Sequence, residues 1–267
     1  MTARAAVAAA VVLAASAACS GSTSPGAAGC PVPHGTLETH VVEVPGAAPV
    51  RVEVYLPPGA RRSGRTYPAL YLLHGSGADE RQWPALGLPG AADRLIAAGA
   101  ISPLVVVMPD IDADGGGVTA AVVPWAEQHL PVVPDAAHRA IGGISLGGGT
   151  ALRLAAAPPY RYSRVGGHSA AVGRADPLAR RLAAWHGAIW LDVGAQDRRV
   201  DSLRTLSRDL TAAGADPQMH VYPGGHNRPY WRAHVEDYLR FYAAAPARAG
   251  GSGARCAQPG VAAGNRM

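Results

Sequence analysis

The hydrophobic residues of this chain form strand-like runs separated by helical stretches. Residues 36–44 and 50–56 alternate apolar and polar side chains, and the Pro- and Gly-containing link between them predicts an antiparallel hairpin at a sheet edge. Residues 67–73 and 104–108 are continuous apolar runs, as expected of strands buried on both faces. Later runs that also predict strands lie at residues 139–142, 164–167, 188–193 and 219–222.

Stretches with helical character separate these predicted strands. They lie at about residues 91–98, 122–130, 148–157, 202–213 and 230–244. Central parallel strands with helical crossovers, preceded by an antiparallel pair, predict one α/β domain with a mostly parallel sheet and helices on both faces. We assign residues 35–245 to this domain and interpret residues 246–267 as a Gly- and Ala-rich tail.

One pentapeptide, residues 143–147, connects the predicted strand at residues 139–142 to the helical stretch that follows. It reads G-x-S-x-G, the pattern of a nucleophile elbow, in which Ser145 would occupy a strained turn with its hydroxyl raised clear of the sheet. Glycines are needed because a side chain two residues to either side would collide with the neighbouring strand or helix. This strand-turn-helix context favours an elbow over an incidental serine in a glycine-rich turn.

Composition and charge narrow the class of protein. The chain has 267 residues, of which 48% are hydrophobic and 16% are charged, so it can bury one large core or two small ones. The net charge of +5 comes from arginine alone, since no lysine is present, and the arginines are scattered along the chain. A nucleic-acid groove needs a continuous basic surface, so we expect no nucleic-acid partner.

The N-terminal segment has the pattern of an export signal. Arg4 precedes an apolar run at residues 5–15, which is too short to cross a bilayer and suits a signal-peptide core. Ser16-Ala17-Ala18-Cys19 resembles a bacterial lipobox, which predicts a signal peptide at residues 1–18 and lipidation of Cys19. Because Ser16 departs from the usual Leu, Val or Ile, cleavage without lipidation stays open. Residues 19–34 are then expected to form a flexible tether.

The three cysteines agree with an exported protein, either anchored at the outer face of the cytoplasmic membrane or secreted. If Cys19 carries lipid, Cys30 and Cys256 remain as an even pair in an oxidising compartment. We therefore predict a disulfide bond that joins the two ends of the domain. Such a long closed loop would contribute on the order of 4 to 5 kcal/mol in the chain-entropy model. The alternative is a free Cys256 in the tail.

Four segments together resemble the α/β-hydrolase superfamily, and within it the esterase group that includes esterase D, feruloyl esterases, enterochelin esterases and secreted mycolyltransferases. They are residues 71–75 (YLLHG) with Trp83 soon after, residues 106–110 (VVMPD), residues 139–148 (RAIGGISLGG) and residues 223–231 (PGGHNRPYW). The resemblance covers residues 36–243 and implies an α/β-hydrolase fold and a serine hydrolase without metal or organic cofactor. Arg228 departs from the group, which often has Trp there, so the substrate pocket is expected to differ.

The triad order of this superfamily, Ser then Asp or Glu then His, guides the choice of the base and the acid. Serine needs a histidine base, and the histidine needs a carboxylate to hold its tautomer and stabilise its positive charge. His226 is the candidate base because it lies in a glycine-rich loop between a predicted strand and a helix, and His168 is its rival. Asp197 is the candidate acid because it follows the carboxyl end of a strand, with Asp201 and Asp192 as alternatives.

The oxyanion hole is predicted from backbone positions. The N–H of Leu146, directly after the nucleophile, is one donor by the rule for nucleophile elbows. The resemblance places the other donor at Ser76, the residue after His74-Gly75, and His74 itself is expected to hold the loop rather than to act in catalysis. Two such N–H groups would each stabilise a tetrahedral oxyanion by several kcal/mol.

The substrate cleft is predicted to be open. The elements expected between the nucleophile and the acid use up nearly the whole segment, which leaves no room for a large lid. Trp83, Arg228 and Trp231 are candidate pocket residues, and Trp125 and Trp185 are further tryptophans that could line the cleft. Arg228 would favour an anionic or polar group beside the histidine.

A calcium site at residues 110–115 is disfavoured by the spacing. The segment reads D-x-D-x-D-G, the start of an EF-hand loop, but its twelfth position is Ala121, where a bidentate Glu is required. We therefore interpret Asp110, Asp112 and Asp114 as parts of a polar turn and expect no metal.

Three functions are compatible with these residues. The first is an exported serine esterase that hydrolyses small-molecule or glycolipid esters through an acyl-enzyme. The second is an acyltransferase of the mycolyltransferase kind, which would move the acyl group to a sugar hydroxyl; it shares the triad, so the sequence does not separate the two. The third is a non-catalytic cell-envelope binding protein on a hydrolase scaffold, which an intact Ser, Asp and His set argues against.

Overall fold

The structure, a computed structural model, describes residues 33–111, 117, 121–159, 161–173 and 175–244. The predicted signal peptide, the tether up to residue 32 and the tail at residues 246–267 lie outside these residues. So do Cys19, Cys30 and Cys256, as well as Asp112 and Asp114 of the acidic turn.

Eight strands form one sheet. They are β1 (Thr36–Val42), β2 (Val50–Leu56), β3 (Ala69–Leu73), β4 (Val105–Pro109), β5 (Arg139–Ile144), β6 (Arg164–His168), β7 (Ala188–Gly194) and β8 (Gln218–Tyr222), in the spatial order β1-β2-β4-β3-β5-β6-β7-β8. β2 pairs antiparallel with both β1 and β4, and every other neighbouring pair is parallel. The predicted antiparallel start and parallel remainder are therefore confirmed.

The helices connect these strands. They are α1 (Gln82–Ala85), α2 (Leu88–Ala97), α3 (Val123–His129), α4 (Leu146–Ala155), α5 (Ala175–Trp185), α6 (Val200–Ala212) and α7 (Arg228–Ala243). α1 was not predicted, and α4 begins at Leu146 rather than at residue 148 because the close packing of its glycines outweighs their weak helix propensity. None of the helices in the described part of the chain has the length and apolar character needed to span a bilayer.

Two hydrophobic cores cover the two faces of the sheet. Alternate residues of β3 divide between them, since Tyr71 and Leu73 belong to one core and Leu70 and Leu72 to the other. The first core contains buried side chains of α3, α4, α5 and α6, whereas the second contains those of α1, α2 and α7. Helices thus lie on both faces, and the continuous apolar character of β3 follows from burial on both sides.

Two glycines of the central strands make room for a side chain of α7. A Cβ added at Gly142 in β5 or at Gly166 in β6 would overlap the hydroxyl of Tyr242. That hydroxyl lies 2.9 Å from His168 Nε2 in the interior. The glycines of β5 and β6 therefore let α7 approach the sheet closely.

A buried carboxylate fixes α7 to the sheet at this point. Asp192 in β7 is 0% exposed. Its Oδ1 accepts hydrogen bonds from His168 Nδ1 at 2.6 Å and Trp190 Nε1 at 2.9 Å, and its Oδ2 accepts from the hydroxyls of Tyr230 at 2.8 Å and Tyr238 at 2.9 Å. Burial alone would raise the pKa of Asp192, but His168 and the tyrosine hydroxyls together bring that pKa below its usual value.

Replacement of Asp192 by Asn is expected to lower the free energy of unfolding by about 3 kcal/mol at pH 7, because an amide nitrogen would face hydrogen-bond donors in the interior. The native pKa of Asp192 lies below its unfolded value of about 3.9, so the stabilisation is present above about pH 4 and is lost as the pH falls through the native pKa. Urea unfolding of Asp192→Asn and the parent protein at pH 7 and at acid pH measures both effects.

The matched control is Asp201→Asn, since the side chain of Asp201 is 92% exposed. We expect this variant to change stability by less than about 0.5 kcal/mol at either pH. An Asp192→Asn variant that is as stable as the parent protein at pH 7 would contradict the proposed anchoring of α7.

Candidate active site

The backbone of Ser145 is strained between β5 and α4. Its φ of 55° and ψ of −110° lie in a region that residues with a Cβ rarely occupy. A Cβ added at Gly143 would overlap the backbone of Gly147, and one added at Gly147 would overlap the carbonyl oxygens of Leu73 and His74. The turn is therefore possible only with glycine at both positions, as expected from the sequence.

Three predicted side chains meet at the carboxyl edge of the sheet. His226, in the loop between β8 and α7, has its Nε2 3.0 Å from Ser145 Oγ and its Nδ1 2.7 Å from Asp197 Oδ2. A carboxylate can only accept hydrogen bonds, so Nδ1 carries the proton and Nε2 is left to accept from the serine hydroxyl. Asp197 follows β7 and is 2% exposed, so its carboxylate is shielded from water. The arrangement can transfer a proton from the serine to the imidazole.

The alternative acids and the rival histidine lie elsewhere. The Asp201 side chain is exposed in the first turn of α6, 3.8 Å from Arg204. Asp192 and His168 contact each other in the interior, and both are 0% exposed, so they cannot reach a substrate.

Hydrogen bonds between two loops hold Asp197 and His226 close to each other. Gln196 N–H donates to Gly224 O at 2.9 Å, and Gly224 N–H donates to Gln196 Oε1 at 2.8 Å. Asp197 Oδ1 accepts from the backbone N–H of Arg199 at 2.9 Å. The two bonds between Gln196 and Gly224 connect the loop after β7 to the loop after β8, and so they fix the position of the carboxylate relative to the imidazole.

The start of α7 supports the imidazole from the other side. Asn227 caps the helix, since its side chain accepts from the Tyr230 N–H at 3.1 Å. The ring of Trp231 meets His226 edge to face at a centroid distance of 5.1 Å, and its Nε1 donates to Ser169 Oγ at 3.2 Å. Trp231, one of the predicted pocket residues, therefore contacts the candidate base directly.

The loop after β3 lies beside Ser145. A Cβ added at Gly75 would lie 3.5 Å from Ser145 Cβ, and the Gly75 N–H donates to Gln82 Oε1 at 2.7 Å. His74 holds the same loop: its Nδ1 lies 2.8 Å from Gly75 O, and its Nε2 accepts from Ile111 N–H at 2.9 Å.

This loop carries one of the two N–H groups predicted for an oxyanion hole. Neither the N–H of Ser76 nor that of Leu146 has an acceptor among the residues that the structure describes. Both are therefore free to donate to an oxygen atom bound beside Ser145.

Some of the predicted pocket residues are not at the surface. Trp83 is 1% exposed and donates from Nε1 to Leu73 O at 3.1 Å, so it is a core side chain and its prediction as a pocket residue is wrong. Trp185 is also buried, with its Nε1 bonded to Tyr162 O at 2.8 Å. Trp125 stacks on His129.

One predicted residue of the site remains untested, and one residue beside Ser145 was not predicted. Arg228 is the exposed first residue of α7, and no described contact joins it to Ser145, so its role in the pocket stays a prediction. Arg199 was missed: its Nη2 lies 3.5 Å from Ser145 Oγ. Its position two residues after the candidate acid was the only signal in the sequence.

Asp110, the described carboxylate of the acidic turn after β4, already contacts two nitrogen groups. Asp110 lies 3.1 Å from Arg51 Nη2 and 3.1 Å from His74 Nε2, so both of its oxygens face nitrogen atoms. In the part of the chain that the structure describes, no group of three or more His, Cys, Asp or Glu side chains is arranged to hold a metal ion.

The fold and the geometry at Ser145 define a serine hydrolase of the α/β-hydrolase class. The family model described as "Putative esterase" matches residues 47–242, which is most of the chain. The chain therefore belongs to this esterase family.

Two curated relatives match part of the chain. Esterase Rv1288 of Mycobacterium tuberculosis is 34% identical over 136 residues, which cover 44% of this chain and 28% of that protein. An endo-1,4-beta-xylanase/feruloyl esterase of Xylanibacter ruminicola is 34% identical over 115 residues, which cover 36% of this chain and 16% of that protein. The chain thus spans less than a third of the length of either relative.

Solved structures share the fold. A ferulic acid esterase has a TM-score of 0.72 at 22% identity and covers 79% of this chain and 98% of its own. A mutant feruloyl esterase module from Clostridium thermocellum, complexed with sinapinate, has a TM-score of 0.71 at 19% identity, with 81% and 90% covered. S-formylglutathione hydrolase FrmB of Staphylococcus aureus has a TM-score of 0.68 at 16% identity, with 79% and 97% covered. The predicted α/β-hydrolase fold is confirmed.

Gln82 is expected to act as a positioning residue for the loop that carries Ser76. Gln82→Met keeps the length of the side chain but removes the acceptor for the Gly75 N–H, so the loop loses one of its fixed points. We expect kcat for an aryl ester to fall about 10- to 100-fold with little change in KM, because only the transition state uses the oxyanion donors.

The control is the same substitution at Gln128, which is exposed in α3. We expect steady-state kinetics of Gln128→Met to match the parent enzyme. Equal effects of the two substitutions, or a change in KM alone at Gln82, would show that this hydrogen bond does not position the oxyanion donors.

Proposed function

We propose that this protein is a serine esterase that hydrolyses carboxylic esters through a covalent acyl-enzyme at Ser145. The observation that carries the proposal is the continuous chain from Ser145 Oγ to His226 Nε2 at 3.0 Å and from His226 Nδ1 to Asp197 Oδ2 at 2.7 Å. The strained backbone of Ser145 adds support, since strain of this kind costs about 1 to 3 kcal/mol and is typical of functional sites.

Acylation begins with attack of Ser145 Oγ on the ester carbonyl carbon. The hydroxyl proton passes to His226 Nε2 while the new C–O bond forms, and Asp197 stabilises the resulting imidazolium through Nδ1–H. The carbonyl oxygen becomes an oxyanion that accepts hydrogen bonds from the N–H groups of Leu146 and Ser76. When the tetrahedral intermediate collapses, Nε2–H protonates the leaving alcohol and the acyl group stays on Ser145.

Deacylation repeats these steps with water. His226 Nε2 takes a proton from the water as its oxygen attacks the acyl carbon, and the same two N–H groups hold the second oxyanion. Collapse returns the proton to Ser145 Oγ and releases the carboxylic acid. The cycle restores every group without a metal or an organic cofactor.

The substrate is proposed to be a small-molecule ester. The structural relatives include a feruloyl esterase module complexed with sinapinate and a ferulic acid esterase from Anaeromyces mucronatus in complex with ferulic acid. Methyl ferulate and methyl sinapate therefore belong in the first substrate panel, beside aryl esters of increasing acyl length.

Substitutions in the proposed triad test the function. Ser145→Ala is expected to lower kcat by about 10⁴-fold or more, and Asp197→Asn by about 10⁴-fold, because the first removes the nucleophile and the second favours the wrong histidine tautomer. Initial rates on 4-nitrophenyl acetate and butyrate measure both effects. The control Ser102→Ala changes an exposed serine before β4 and should keep the parent rate. A Ser145→Ala enzyme with the parent rate would refute the proposal.

We also infer export, with cleavage after Ala18 and a disulfide bond between Cys30 and Cys256. Support comes from the basic and apolar pattern of residues 1–18 and from the even pair of cysteines left after Cys19. Intact mass of the protein recovered from a bacterial host should lack residues 1–18, with or without a lipid on Cys19, and should increase by two hydrogens on reduction. Retention of residues 1–18, or a reactive thiol on Cys30 or Cys256 before reduction, would contradict this inference.

A further inference from the structure

A guanidinium group without an anionic partner lies beside the proposed nucleophile. Arg199, the residue that precedes α6, has its Nη2 3.5 Å from Ser145 Oγ. Its Nε is buried and has no hydrogen-bond acceptor. Among the described residues, no carboxylate forms an ion pair with it.

The nearest acid in the chain is already engaged. The Asp197 side chain bonds to His226 and to the backbone N–H of Arg199, and among the described residues no hydrogen bond joins it to the guanidinium of Arg199. Burial, and next the neighbouring Arg198, lower the pKa of Arg199, although an arginine stays charged at neutral pH. Arg199 is therefore a partly desolvated cation whose buried Nε–H lacks an acceptor, and a bound anion would compensate for both costs.

The position of this group restricts where the anion can lie. A carboxylate oxygen that accepts from Nη2 at about 2.8 Å lies within about 6 Å of Ser145 Oγ. The carbonyl carbon of a bound ester lies about 3 Å from the same Oγ before attack. The carboxylate and the carbonyl are therefore close enough to belong to one small ester, with a spacer of about one to three carbon atoms between them.

We propose that Arg199 forms an anion-binding subsite that selects esters with a carboxylate close to the scissile carbonyl. The planar fork of the guanidinium matches a carboxylate through two parallel N–H···O bonds, which involve Nη2 and the unpartnered Nε. The inference rests on the proposed esterase function. It specifies the substrate class: half-esters of short dicarboxylic acids, or esters of short hydroxy acids.

Two pairs of esters test this subsite and distinguish the two sources of the carboxylate. Monomethyl succinate carries the charge in its acyl part and is compared with neutral methyl butyrate. Acetoxyacetate carries the charge in its alcohol part and is compared with neutral propyl acetate. For each pair, the ratio of kcat/KM values, anionic to neutral, is measured for the parent enzyme, Arg199→Gln and Arg198→Gln.

The ratio for at least one pair is expected to fall about 10- to 100-fold in Arg199→Gln, the size expected for losing a charge-assisted hydrogen bond. Arg198→Gln makes the same charge change at an exposed neighbour and should alter either ratio by less than about threefold. The pair that responds identifies the part of the ester that carries the anion. Ratios unchanged in Arg199→Gln would overturn the proposal, and so would equal changes in the two variants.

Inhibition of the parent enzyme gives a second result that does not depend on a substitution. Succinate should inhibit hydrolysis of methyl butyrate competitively and at least tenfold more strongly than succinamide, its neutral analogue. Equal inhibition by the two would overturn the subsite even if Arg199→Gln fails to fold. Ester hydrolysis that needs Ser145 but has the same anionic-to-neutral ratio in the parent enzyme and in Arg199→Gln would reject only the subsite. A parent enzyme that hydrolyses no ester would reject the esterase function itself.

Discussion

The strained backbone at Ser145 is the constraint on which the site depends. A serine with φ of 55° is held there because its own N–H donates to His168 O at 2.9 Å and because β5 and α4 meet without intervening side chains at Gly143 and Gly147. Burial of the α4 side chains in the first core offsets the local strain. The hydroxyl is thereby fixed at the carboxyl edge of the sheet, where the loops after β7 and β8 can reach it.

The position of the imidazole depends on a second group of contacts, centred on Asp192. The two carboxylate oxygens of Asp192 accept four hydrogen bonds. Two of the donors, the hydroxyls of Tyr230 and Tyr238, belong to α7. His226 lies two residues before α7. Because α7 is anchored in this way, the end of the loop that carries His226 has a fixed position. The buried polar network thus acts on the candidate base through the backbone.

The sequence allowed the elbow, the triad candidates and the mostly parallel sheet with its antiparallel start to be predicted, because each has a pattern of its own: glycine spacing, loop position and apolar runs. The spatial order of the strands was not predicted. The side-chain directions were less accessible. Trp83 lies on α1, a helix of four residues that is too short to show a hydrophobic periodicity. The sequence therefore did not indicate that Trp83 is buried in the core. Arg199 was not predicted because the sequence shows it only as the second of two consecutive arginines. Its guanidinium lies beside Ser145 because of the local geometry at the start of α6.

The central claim is that Ser145 is the residue activated by His226 and Asp197. The most direct measurement is peptide mapping by mass spectrometry after reaction with a fluorophosphonate, which bonds covalently to an activated serine. The account predicts one adduct, on the peptide that contains Ser145, and its loss when His226 is replaced by Ala. An adduct on another residue, or labelling of Ser145 that persists unchanged without His226, would contradict the account.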